Sequence, residues 1–507
     1  MNNLIVLPLV IPLATAILLL FVHNRIGLQR RISIAGLLLL AAVSCLIAVQ
    51  VGREGIQTLY MGGWMPPYGI VFVADMLAAL LVLIASTVGL CCLIYAFGSI
   101  GTEREKHYFY PLFQFLLVGV NGSFLTGDLF NLFVCFEVML MASYALIVLG
   151  NTDRQLRETL KYLLINIVSS ALFVAGVAYL YGATGTLNMA DLSFKIAETG
   201  WTATLHVIAL LFLIVFSLKA GLFLFFWLPG AYGAPPAVVA ALFAALFTKV
   251  GIYALIRTFT LIFYLDESIL HDWFQGLAIA TMLLGAIGAV AYRDIRRIMN
   301  YNIVISIGFL ALGLAVSSEE SLTGAVFYLI HDIPAKALLF MLGGWIILTA
   351  GTSDLKRMGG WIQRYPLIGG LLFLTAAAIV GLPPLSGFPG KLLLIRSGLQ
   401  EGYGLLSAVA LLSSLIALYS LLRIFMHAFW GEEMLRREPQ AGATAEPKLA
   451  PSSASPPSRL TLLPIVALSI LIIGIGLGAE FLYEWASQAG DVLANPDRYI
   501  DAVLKGR

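Results

Sequence analysis

The sequence predicts an all-α, polytopic membrane protein of about fourteen transmembrane helices, and three observations carry that expectation. Its 507 residues are 60% hydrophobic and 11% charged, whereas a soluble domain carries about 25% charge. Apolar runs of the length a helix needs to cross hydrocarbon, about 20 residues, recur along the chain. Basic residues gather in alternate connections between those runs, as they do in cytoplasmic loops.

The runs lie near 3–22, 32–52, 73–98, 109–127, 129–150, 161–182, 204–229, 235–260, 272–292, 298–316, 321–350, 366–400, 403–430 and 460–482. The first lacks a basic leader and reads as a retained helix, not a cleaved signal. Arg25, Arg30 and Arg31 follow it; Arg104 and Lys106 follow the third run, and Arg154 and Arg157 the fifth. Arg293, Arg296 and Arg297 follow the ninth, Lys356, Arg357 and Arg364 the eleventh, and Arg436, Arg437, Lys448 and Arg459 the thirteenth. The opposite connections hold little beyond Arg53, Lys195 and Arg257, with acids such as Asp266, Glu267, Glu319 and Glu320. Both termini are therefore expected on the extracytoplasmic side. Residues 431–459, rich in Pro, Ser and Ala, read as a flexible cytoplasmic loop. The tail after 483 is polar enough to lie along the surface.

Several function classes fall away. A net charge of +2 with no basic tract argues against a nucleic-acid partner. Cys45, Cys91, Cys92 and Cys135 sit in apolar runs without metal or redox spacing, so they are expected to be small buried apolar residues, and no metal or cofactor is expected. A membrane-embedded enzyme would show a motif such as G-x-S-x-G or H-E-x-x-H, and none appears.

The informative residues are charges that should not be in lipid. Glu137, Lys219, Lys249, His331, Asp332, Lys336 and Lys391 fall deep within the runs. Insertion scales put a central charge at about 2.5 to 3.5 kcal/mol, so such residues are kept where they face protein or water and have partners. Several in one chain predict a polar seam. Glu137 and Lys219, at comparable depth on different helices, are expected to pair; a pair that opens and closes takes up and releases a proton. A polar plug holding two helices together is the plainer reading of Glu137. Lys249 has no acid within a helical turn, so its charge lacks a local counter-ion. In "YLIHDIPAKALLF", Asp332 and Lys336 are four apart and can pair. His331 there can exchange protons near neutral pH, and Pro334 leaves the carbonyl of Ile330 without its donor, which favours a bend. Lys391 follows "GLPPLSGFPG", a stretch unlikely to continue a regular helix yet flanked by apolar sequence. The span is expected to break there, at membrane depth. "SLKAGLF" is a similar weak point. Two interrupted helices, each near a lysine, point to an ion pathway built from inverted repeats.

The stretches "NGSFLTGDLFNLFVCFEVMLMASYALIVLG", "WLPGAYGAPP", "LFTKVGIYALIR", "YLIHDIPAKALLF" and "GLPPLSGFPGKLLLI" resemble the antiporter-like subunit family. That family is shared by Mrp-type cation/proton antiporters and the membrane arm of respiratory complex I, and the resemblance to the D-type subunits of Mrp-type antiporters covers nearly the whole chain. It implies two inverted five-helix repeats, helices 4–8 in 109–260 and helices 9–13 in 272–430, with helices 7 and 12 discontinuous. Helices 1–3 (1–98) precede them, and the loop 431–459 and helix 14 with its tail (460–507) follow. The resemblance assigns proton translocation to Glu137, Lys219, Lys249, His331, Lys336 and Lys391, with Phe136 tuning the site beside the acid. Between Lys219 and "WLP" relatives carry a proline, where this chain has "AGLFLFF". The implied function is a proton-translocating subunit that uses proton influx to drive Na⁺ export in a bacterial cell membrane, together with the other subunits of an Mrp-type complex. The alternative is a proton-pumping subunit of a complex I-like or hydrogenase redox complex.

Overall fold

The computed structural model describes residues 2–266, 268–430 and 459–504. The first crossings are α1 (Leu7–Phe21), α2 (Ile26–Glu54) and α3 (Met76–Ser99). A short α4 (Thr102–Glu105) leads into α5 (Phe109–Leu125), α6 (Leu129–Ile147) and α7 (Asp153–Thr184). After α8 (Met189–Thr199), too short to cross, α9 (Ala203–Ala220) and α10 (Leu228–Gly233) form one divided crossing. Then come α11 (Ala237–Leu261), α12 (Phe274–Ala291), α13 (Ile295–Val316) and α14 (Glu319–Ala350). A second divided crossing follows, α15 (Pro366–Val380) and α16 (Gly387–Gln400). The chain ends with α17 (Gly404–Phe429), α18 (Arg459–Leu477), α19 (Ala479–Ala494) and α20 (Pro496–Leu504). Among the described residues twelve helices are long and apolar enough to span, and the shorter α5 and α15 bring the crossings to fourteen, the number expected.

Regular helix is forced on these runs because backbone in lipid must satisfy its own N–H and C=O groups. Side chains set the ends. Asp75, Asp128, Asp294 and Ser318 accept hydrogen bonds from Ala78, Asn131, Arg297 and Ser321 and so cap α3, α6, α13 and α14. Thr152 and Gln155 form a reciprocal capping box that starts α7 eight residues before the apolar run suggested. α11 is buried along nearly its whole length and α13 almost as fully, whereas α7 and α18 lie at the periphery.

Both breaks begin with a glycine in the left-handed region, a conformation that costs glycine nothing. Gly221 (φ 75°) ends α9 and bonds back to the Ser217 carbonyl at 2.9 Å. Phe223 follows at φ 59°, its N–H donating to Thr281 Oγ1 on α12 at 2.8 Å. The crossing is thus divided without the proline that relatives carry. Gly381 (φ 91°) ends α15, and the prolines Pro383 and Pro384 that follow have no N–H to continue a helix. α18 crosses this second break closely: a Cβ at Gly476 would stand 2.3 Å from the Pro384 carbonyl oxygen.

α11 presses as closely on the first. A Cβ at Gly251 would lie 2.5 Å from the Ala220 nitrogen and 2.8 Å from the Lys219 carbonyl carbon. Gly251→Val is therefore expected to wedge α9 away from α11 at a cost of about 1–3 kcal/mol. Thermal unfolding of the purified protein in detergent measures this; an unchanged midpoint would mean the contact yields freely.

Elsewhere the fold corrects the sequence reading. Residues 57–74 form an antiparallel hairpin, β1 (Gln57–Tyr60) and β2 (Val71–Ala74), whose strands are too short to stand out as alternation. Arg257, counted with a connecting loop, is buried in α11; its guanidinium pairs with Asp75 at 2.6 Å and lies over the Tyr253 and Tyr499 rings. Cys45 faces outward while Cys91, Cys92 and Cys135 are buried. α14 runs unbroken through Pro334. The tail folds back as α19 and α20, burying Ala486, Leu493, Tyr499 and Ile500. The loop 431–459 lies outside the described residues apart from the backbone of Arg459.

Candidate functional site

The titratable side chains predicted for the bundle interior form three groups, each assembled from different helices. In the first, Glu137 sits at the middle of α6 and Lys219 at the end of α9, two residues before the Gly221 break. The predicted pair is not a direct one. Among the described residues no ion pair within 4.0 Å joins them; Ser170 of α7 stands between. Lys219 Nζ donates to Ser170 Oγ at 3.3 Å, and Ser170 Oγ donates to Glu137 Oε1. The ammonium also lies 5.0 Å from the centre of the Phe136 ring, a favourable cation–π placement. Phe136 packs with Phe173 and Phe216, so one flank of the triple is wholly aromatic.

The second group is fully enclosed. Lys249, at the middle of α11, places its Nζ 2.8 Å from Asp332 Oδ2 of α14, and both side chains have 0% exposure. The counter-ion missing from its own helix therefore comes from another one. Asp332 also approaches Lys336 at 3.6 Å, so a single carboxylate serves two ammonium groups. Carbonyls complete the shell: Lys249 donates to Ala244 O at 2.9 Å and Lys336 to Asn302 O of α13 at 2.9 Å. The enclosed pocket thus holds two bases and one acid, with 0% exposure at all three side chains.

The third group spans the second break. His331 Nδ1 shares a hydrogen bond with Ser386 Oγ at 2.7 Å, while its Nε2 is buried and has no hydrogen-bond partner among the described residues. That nitrogen faces the start of α16, where a Cβ at Gly387 would stand 2.9 Å from it. Lys391 reaches back across the break, donating to Val380 O at 3.2 Å and to Ser414 Oγ of α17 at 2.5 Å. Its Nζ lies 4.3 Å from the centre of the Phe309 ring, and among the described residues no acid lies within ion-pair distance.

All six residues predicted to carry protons thus lie inside the bundle or at its edge, in three clusters that no ion pair among the described residues connects. His331 and Asp332, adjacent on α14, bring the second and third together along one helix. Sequence reading missed Ser170, Ser386 and Ser414; hydroxyls are common in spans, and the only available signal was their presence near the interrupted helices or the helix facing Glu137. Among the described residues no three His, Cys, Asp or Glu side chains converge as metal ligands would.

Fourteen apolar crossings among the described residues, two of them broken beside buried lysines, define a multi-pass membrane protein with an ionisable interior. Comparison with known proteins places it further. Residues 126–417 match the family described as NADH:quinone oxidoreductase/Mrp antiporter, TM. The D-type subunit of the Na(+)/H(+) antiporter of Bacillus subtilis (strain 168) is 49% identical over 506 residues, covering 100% of both chains. A chain in the structure of the Mrp complex from Dietzia sp. DQ12-45-1b superposes with a TM-score of 0.90 at 30% identity, over 99% of this chain and 100% of that one. A chain of the membrane-bound sulfane sulfur reductase, an archaeal respiratory membrane complex, superposes at 0.88 with 26% identity over 99% and 100%. The chain belongs to the antiporter-like family of membrane subunits shared by Mrp antiporters and NADH:quinone oxidoreductases.

Proposed function

We propose that this chain is the proton-translocating subunit of a multisubunit cation/proton antiporter, in which proton influx drives Na⁺ export. The observation that carries the reading is the placing of three titratable clusters at the middle of the bundle and at its two broken helices, in a chain about half identical to a D-type antiporter subunit. Glu137 and Lys219 control proton uptake, with Phe136 setting the environment of the pair. Lys249, His331 and Lys336 relay, with Asp332 as their shared counter-ion on the Pro334-containing α14. Lys391 mediates release or coupling. Each divided crossing belongs to one of two inverted repeats, 109–260 and 272–430. The complex resides in the bacterial cell membrane with both termini of this chain on the extracytoplasmic side, a reading that the alternation of basic connections supports.

The energetics are adequate: one charge crossing about 100 mV releases roughly 2.3 kcal/mol, work of the size needed to expel a cation. The test uses everted vesicles from cells stripped of their own sodium/proton exchangers and carrying the whole complex. Adding Na⁺ is expected to collapse a preformed pH gradient, and omitting this chain from the complex should abolish the response. Exchange that persists without the chain, or proton pumping that needs a redox substrate and not Na⁺, would overturn the reading.

A further inference from the structure

We propose that Ser170 is the proton relay between Lys219 and Glu137, an inference resting on the assignment of that pair to proton uptake. Each side chain makes its one hydrogen bond among the described residues to the same hydroxyl. The bonds run in one direction, from Lys219 N–H to Ser170 Oγ and from Ser170 O–H to the carboxylate. A hydroxyl holds one proton and can accept while donating, so it is the smallest group able to join a cation to an anion with a continuous chain of protons. Around them stand the rings of Phe136 on α6, Phe173 on α7 and Phe216 on α9, and the phenols of Tyr144 on α6 and Tyr162 on α7 also lie near Glu137, their rings packed on each other at 5.5 Å. The neighbouring hydroxyl of Ser169 points elsewhere, to the Val215 carbonyl at 3.5 Å.

The step balances. One N–H bond of the Lys219 ammonium breaks as a new O–H bond forms at Ser170, while the original O–H breaks and its proton bonds Glu137 Oε1. Lysine and glutamate both end neutral, and Ser170 remains a neutral hydroxyl with a different proton. Its bond direction is now reversed: the hydroxyl points at the lysine nitrogen and accepts from the glutamic acid. A second transfer in the same direction must wait until the hydroxyl turns back and both partners are recharged, so the relay passes protons one at a time.

The experiment compares Ser170→Ala, Ser170→Thr and Ser170→Gly in the intact complex in everted vesicles, with assembly of each variant quantified in the same membranes. Ser170→Ala and Ser170→Gly are expected to lower maximal exchange by about a hundredfold, the usual range for a lost proton-transfer group, with the apparent affinity for Na⁺ unchanged. Ser170→Thr, which keeps the hydroxyl, is expected to restore most of the rate; a packing role would instead favour the smaller side chains. Full exchange by assembled Ser170→Ala, or failure of Ser170→Thr alongside active Ser170→Gly, overturns the relay. Lys219 and Glu137 variants run beside these separate the outcomes, because loss of exchange in those with none in Ser170→Ala rejects the hydroxyl and keeps the pair.

Discussion

Asp332→Asn is expected to stop exchange and to lower the unfolding temperature of the assembled complex. Among the described residues Asp332 is the one acid within ion-pair distance of Lys249 and Lys336, at 2.8 and 3.6 Å, and all three side chains have 0% exposure. At an effective dielectric of about 20, each contact carries roughly 5 kcal/mol of Coulomb attraction, before the larger cost of drying the ions is subtracted. Removing the shared acid leaves that cost standing against one backbone carbonyl for each ammonium, and breaking such a pair typically destabilises by about 3–5 kcal/mol. Asparagine preserves shape and volume, so a packing change cannot produce the effect. A second variant separates stability from transport: adding Lys249→Met to Asp332→Asn takes one stranded ammonium away. The double variant should recover much of the unfolding temperature and none of the exchange. An unfolding curve unmoved by Asp332→Asn would mean that the carboxylate does not carry a charge in the resting protein.

That pair also marks how far sequence could be read. The spans were legible because their signal is composition over some twenty residues, and composition does not depend on what a helix touches. The depth of Glu137, Lys219, Lys249, Asp332 and Lys336 within them was legible for the same reason. Partnerships were not. Lys249 and Asp332 are eighty-three positions apart and meet only because α11 packs on α14. The four-residue spacing of Asp332 and Lys336 was visible and correct, but it suggested a self-contained pair where the structure has a shared one. Ser170 lay further out of reach, since a serine in an apolar run looks the same whether it bonds its own backbone or bridges two charges. Arg257 was misplaced because a charge near the end of a run is ordinarily in a loop, and Asp75, the residue that caps α3, supplies the exception.

The two breaks show local chemistry and packing acting together. The proline-rich stretch before Lys391 announced its interruption, while the one after Lys219 has no proline at all. There a left-handed glycine ends α9, a threonine hydroxyl from α12 satisfies the Phe223 N–H, and Trp227 Nε1 donates to the Leu218 carbonyl at 3.0 Å. One of these three supports, Thr281, comes from another helix, so the break is a property of the fold as well as of the segment. Its consequence is electrostatic. Helix carbonyls left without helical donors gather at the end of α9, where a cation is favoured, and Lys219 sits in that last turn.

Lys219→Arg is the sharpest test of what that lysine does, and it is expected to be as inactive as Lys219→Ala while remaining as stable as the native chain. Both lysine and arginine supply a cation to Ser170, to the Phe136 ring 5.0 Å away and to the carbonyl end of α9. They differ in one respect relevant to transport: arginine does not release its proton in proteins, whereas a buried lysine can. If Lys219 only holds α6, α7 and α9 together, arginine replaces it and exchange continues. If it passes a proton at each turnover, arginine leaves the charge in place and the cycle stops, with exchange falling by about a hundredfold or more. Lys219→Ala removes charge and proton together, so it should lose the same activity and, in addition, some of the packing of its four-carbon stem. Measured in everted vesicles with equal assembly, sodium-driven exchange by the arginine variant near the native rate would reduce Lys219 to a structural cation.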